Sequence, residues 1–102
     1  MAIMIVGTAR FDLRLHGVQS LKEKRSVIRR LLNQLRSCPV SVAEVGHNDL
    51  LQRAIIGACI VSTSEALIDS VFRQIETMIE TSGSVEMIDS ETEHIHYGEK
   101  YH

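Results

Sequence analysis

Five cations crowd one short stretch of the chain: Lys22, Arg25, Arg29, Arg30 and Arg36. At about 100° per residue they fall within one arc of a helix, opposite Leu21, Ile28, Leu31, Leu32 and Leu35. Lys24 lies near the apolar border and is expected to snorkel outward, and Glu23 alone offsets the group. So many cations along ~20 Å of helix create a potential that draws phosphates. The plainer reading is a solvated helix face, or a dock for an acidic arc of Glu65, Asp69, Glu76 and Glu80 on another copy.

If the partner is nucleic acid, the mode is narrow. Base stacking on an open sheet needs aromatics on the central strands. The stretch Ala54 to Ser62 has none, and Phe11 has the parity of the core. No Gly-x-x-Gly clamp occurs either. Backbone binding by a charged helix remains, sensitive to salt and poor in sequence information, with structured RNA as the expected target.

Other constellations are thinner. The turn His16-Gly17-Val18-Gln19-Ser20 opens onto a helix N-terminus and has the form of an anion cradle, as in acylphosphatases, with Asn48 the nearest candidate to position a water. A tight turn with a good helix cap is the simpler account. His94 and His96 point two imidazoles to one side of an extended strand near His102, but a metal needs a third rigid ligand. Cys59 reads as a small buried residue and Cys38 as a loop thiol beside Pro39. No Ser/His/Asp order, Walker loop or close carboxylate pair stands out, so neither enzyme activity, metal nor cofactor is expected.

The elements that would position these groups follow from periodicity. From Ile3 to Leu15 the odd positions are apolar or small while Thr8, Arg10, Asp12 and Arg14 alternate with them, a half-buried strand whose Met4 and Val6 are apolar on the other face too. Ser20 stands three residues before Glu23, the capping-box spacing, and opens a helix to Arg36. Val40 to Val45 and Ala54 to Ser62 read as strands around a turn at Gly46-His47-Asn48-Asp49. Ser62-x-x-Glu65 predicts a second cap before the stripe Leu67, Ile68, Val71, Phe72, Ile75, Met78 and Ile79. Gly83 breaks that helix, and Val85 to about Ile95 makes a polar edge strand.

The order β-α-β-β-α-β predicts an α+β, ferredoxin-like sandwich, a four-stranded antiparallel sheet with both helices on one face. Residues 1–98 form the expected single domain and residues 99–102 a mobile tail. The other sheet face is left open. Met4, Val6 and one side of the Ala54–Ser62 strand, represented by Ile56, are expected to expose apolar area there and to favour a homodimer.

Composition agrees with a small soluble domain. Of 102 residues 44% are hydrophobic and 24% charged, and no apolar run approaches the ~18 residues of a membrane span. Arg10, Asp12 and Arg14 argue against a signal peptide, and two cysteines fit a reducing compartment, so a cytoplasmic location is expected. The net charge of −2 hides a split: residues 1–64 hold nine Lys/Arg against four Asp/Glu, and residues 65–102 hold two against nine. Such asymmetry points to an anionic partner on one side or to two oppositely charged solvated faces.

Two stretches carry a family likeness. Ser20-Leu21-Lys22-Glu23-Lys24-Arg25-Ser26-Val27, and Ser41-Val42-Ala43-Glu44-Val45 with Asp49-Leu50-Leu51-Gln52-Arg53-Ala54, resemble the YlxP-like family, a bacterial domain of unknown function, over residues 3–95. The family pattern has tryptophan where Leu51 stands, and the tail after Ile95 is longer than usual. The resemblance implies a ferredoxin-like fold, no established enzymatic activity, and genes set beside those for transcription termination, translation initiation and ribosome maturation. It carries over to Ser20, Lys22, Glu23, Lys24 and Arg25, with Glu44, Asp49, Gln52 and Arg53. Glu44 is expected to pair with Arg53 across the hairpin. The predicted function is thus a non-enzymatic, RNA- or ribosome-associated domain that contacts phosphates through Lys22, Arg25, Arg29 and Arg30, with Lys24 and Arg53 nearby.

Overall fold

A computed structural model describes residues 3–98; the expected tail at 99–102 lies outside the described residues. The elements run β1 (Met4–Leu15), α1 (Leu21–Leu35), β2 (Ser41–Gly46), β3 (Arg53–Ser62), α2 (Glu65–Thr81) and β4 (Val85–Tyr97). The four strands form one antiparallel sheet in the order β2-β3-β1-β4. With the helices packed on one face, this is the ferredoxin-like α+β arrangement.

Alternation along the central strands builds the core. Ile5, Ala9, Phe11, Leu13 and Leu15 of β1 face the helices, as do Ala54, Ile56, Ala58 and Ile60 of β3. They meet Ile28, Leu31 and Leu35 of α1 and Ile68, Val71, Phe72, Ile75 and Ile79 of α2. Ile56 is therefore a core residue, fully buried, and the expectation that it lines the open face is corrected. The open side of β3 is formed by the odd residues from Arg53 to Val61, because Ala54 carries the core parity.

Gly7 lets α2 settle onto the sheet. A Cβ there would overlap Ile68 Cγ2 and crowd Ile60 and Phe72 at 3.2 and 3.3 Å. On the edge strand β4, Ile88 is an extra residue: Asp12 pairs with Asp89 and Leu13 with Met87, so the ladder bulges between them.

The helix starts are set by serines. Ser20 accepts from the Glu23 amide at 3.1 Å, and Glu23 reaches back to the Gln19 amide at 3.0 Å, one residue beyond the usual reciprocal bond. The second cap is Ser64, whose hydroxyl accepts from the Leu67 amide at 3.2 Å. The expected cap at Ser62 is corrected: Ser62 is still in the ladder, paired with Ile5, and its hydroxyl accepts from the Ser64 amide at 3.1 Å.

Candidate nucleic-acid interface

Helix α1 turns its leucine stripe to the core and leaves Lys22, Arg25, Arg29, Arg30 and Arg36 exposed. Arg36 donates to Asn33 Oδ1 at 2.8 Å. Among the described residues, Lys22, Arg25, Arg29 and Arg30 form no ion pair, whereas Arg10, Arg14, Lys24 and Arg53 each face a carboxylate. With Arg36, whose Asn33 partner is neutral, five cations on this helical face have no carboxylate partner among the described residues, in a chain with more acids than bases. The arrangement presents a row of donors in open solvent with no aromatic among them, fit for phosphate oxygens and blind to bases.

Two expected members of this surface are elsewhere. Lys24 is 2% exposed, with Nζ 3.1 Å from Glu44 Oε2 and donating to the His47 carbonyl at 2.6 Å. It heads the row Lys24, Ile28, Leu31, Leu35, spaced i, i+4, i+7, i+11, so its stem points into the core rather than outward. Glu44 shares the parity of the buried Val42 on β2 and faces the helix. Arg53 stands on the opposite face of the sheet, where its Nη2 contacts both Asp12 carboxylate oxygens at 2.9 and 2.8 Å. The expected Glu44–Arg53 pair does not form, because the two side chains leave the sheet on opposite sides.

The remaining candidates are likewise tied into the fold. At the turn before α1, the Gln19 and Glu23 amides are already committed to Glu23 and Ser20, and Asn48 sits in the β2–β3 turn. His94 and His96 do share one side of β4, facing α2. His94 Nε2 lies 2.8 Å from Asp69 Oδ1 and its Nδ1 3.5 Å from Glu65 Oε2, while His96 Nε2 lies 2.5 Å from Glu65 Oε1. Asp69 and Glu65 approach opposite nitrogens of the His94 ring, so the four side chains lace β4 to the start of α2 instead of converging on a point. No group of three or more His, Cys, Asp or Glu among the described residues is placed to hold a metal ion. The cysteines exchange their expected places. Cys38 is buried, its Sγ 3.6 Å from Met78 Sδ, and Cys59 is exposed on the open face of β3. No helix among the described residues is long and apolar enough to cross a membrane.

The open face has two unlike ends. Val61, Val6 and Ile95 lie side by side on β3, β1 and β4, with Met4 and Tyr97 next along the strands. Met4, Val61 and Ile95 are exposed, as is Val45 on β2. Toward the other end the face is charged. Arg10 stands 3.7 Å from Glu91, Arg14 3.4 Å from Glu86, and Arg53 closes on Asp12. Sequence parity on β1 anticipated the apolar end; the ion pairs depended on register, which no single strand reveals.

Residues 6–92 match the family described as a protein of unknown function, DUF503. The uncharacterized protein YlxP of Bacillus subtilis is 29% identical over 90 residues, covering 87% of this chain and 98% of that one. Among solved structures, the de novo designed protein Foldit4 superposes with a TM-score of 0.50 at 16% identity, over 94% of this chain and 98% of the design. SnoaB, a cofactor-independent oxygenase from Streptomyces nogalater, gives a TM-score of 0.42 at 17% identity, over 95% of this chain and 93% of that one. The likeness to the design is one of fold alone.

Proposed function

We propose, from the premise that the chain belongs to the DUF503 family of proteins of unknown function, that it binds structured RNA, free or within the ribosome, through the phosphate backbone. Lys22, Arg25, Arg29 and Arg30 make the contact, and no chemical step is involved. The observation that carries this reading is the lack of any ion-pair partner for these four exposed cations among the described residues, in a chain that pairs cations elsewhere. Cations left in open solvent gain little from the fold and repel one another; a polyanion releases its own counterions on meeting them. Absence of aromatics from α1 favours double-helical or hairpin RNA, whose phosphates are arrayed outward, over single strands that need stacking platforms.

The test is filter binding of an RNA hairpin at low salt by the parent protein and by the Arg25→Glu/Arg29→Glu variant. Binding should be lost in the variant while the melting temperature stays within a degree or two. Equal affinity in the two proteins overturns the reading.

A further inference from the structure

The face of the sheet turned away from the helices carries an apolar row three strands wide, and no element among the described residues covers it. Val6 of β1 is flanked by Val61 of β3 and Ile95 of β4, and Val61 is 62% exposed. Met4 extends the row by one step along β1. Along the rest of β3 short of Arg53, and on β2, the residues of this face are uncharged: Ile55, Gly57 and Cys59 on β3, Ser41, Ala43 and Val45 on β2. The charged side chains are Arg53 and those of β1 and β4 from the Thr8–Glu93 level onward: Arg10 is matched with Glu91, Arg14 with Glu86 and Arg53 with Asp12, while Glu93 and Asp89 have no cation partner among the described residues.

We infer that the occupant of this face is a second copy of the same chain, packed sheet against sheet about a twofold axis running along the strands. Size, polarity and symmetry lead there. A face of four strands about 4.8 Å apart and up to ten residues long offers roughly 500–600 Å² per copy, so that two copies bury a little over 1,000 Å², the lower range of specific interfaces. Three cross-strand pairs match opposite charges. The two carboxylates left over, Asp89 and Glu93, stand on the edge strand β4, which a twofold between β1 and β3 sets over the uncharged face of β2 in the other copy. A twofold along the strands stacks apolar end on apolar end and sets β1 over the partner's β3, which brings Val6 against a second Val61 and the long Arg10 over the flat stretch at Gly57. A twofold across the strands would lay the apolar row on the Arg14–Glu86 end instead. Aligned sheets cross at about 30°, which lets the charged corners splay into solvent.

The assembly is a four-layer sandwich with α1 of each copy on the outside, so the two basic faces stay free. The inference stands without the RNA reading and is tested apart from it. Sedimentation equilibrium of the full chain at roughly 100 µM, in the concentration range where an interface of this size is populated, should return twice 11.5 kDa. Val61→Glu, a change at an exposed position that leaves far-UV circular dichroism intact, should shift the protein to monomer with at least a tenfold weaker association. Leu67→Glu, at the exposed Leu67 of α2 on the helical side, should leave the dimer unchanged. The Cys59 thiol, exposed in the single chain but covered in the dimer, should react with a maleimide at least tenfold more slowly in the parent than in the Val61→Glu variant. A parent that is monomeric at that concentration, or a folded Val61→Glu variant that dimerises as tightly as the parent, overturns the inference. If RNA binding fails while the dimer persists, only the polyanion reading falls.

Discussion

Lys24 Nζ lies 3.1 Å from Glu44 Oε2, and the lysine side chain is 2% exposed. The pair joins the first turn of α1 to β2, and the same ammonium donates to the His47 carbonyl in the following turn. Two of the family-like stretches are therefore held together by one buried charge pair, and Lys24 and Glu44 have a folding task.

Removing one partner strands the other. Lys24→Ala should cost about 3 kcal/mol, since an unpaired carboxylate remains in a mostly buried place. In a domain of this size that lowers the melting temperature by roughly 10 °C or more. Lys24→Met/Glu44→Leu should recover most of the loss, because apolar residues of similar volume replace a buried pair at little cost. Urea denaturation of both single variants and the double variant gives the coupling; strictly additive losses would show that the pair is not a unit.

Salt should count the contacts. Each phosphate neutralised adds about 0.9 to the slope of log affinity against log salt on a duplex, so four cations predict a slope of about −3.6. Lys22→Ala should flatten it by about one contact. Arg53→Ala should leave both slope and affinity as they are, because its guanidinium is on the far side of the sheet and held by Asp12. A slope that does not respond to Lys22 would remove α1 from the interface.

Gly7 measures how closely α2 approaches the sheet. Gly7→Ala forces a methyl group into Ile68 and against Ile60 and Phe72. A loss of about 1–3 kcal/mol is expected from overpacking, despite the gain in strand propensity. Thermal melts check the sign: a stabilised variant would mean that α2 rides higher than described.

The two serines before α2 can be told apart. Ser64→Ala should cost about 1 kcal/mol, the value of an N-cap, and Ser62→Ala clearly less, since Ser62 Oγ takes only the Ser64 amide. Equal losses in chemical denaturation would place the cap differently.

Local rules were enough for the architecture. The period of two in β1, the period near 3.6 in α1 and α2, and the break at Gly83 each report how one segment must turn its side chains to hide apolar area, and that requirement is written in the order of residues. The exposed row Lys22, Arg25, Arg29 and Arg30 was legible for the same reason, because a helix fixes its own faces. What a side chain meets was not legible. Glu44 points at Lys24 and away from Arg53, Asp12 takes Arg53, Cys59 is in solvent while Cys38 is packed on Met78, and Ser64 displaces Ser62 as the cap. Each of these depends on inter-strand register or on which layer lies above a strand, and such relations between distant segments arise only when the chain closes on itself.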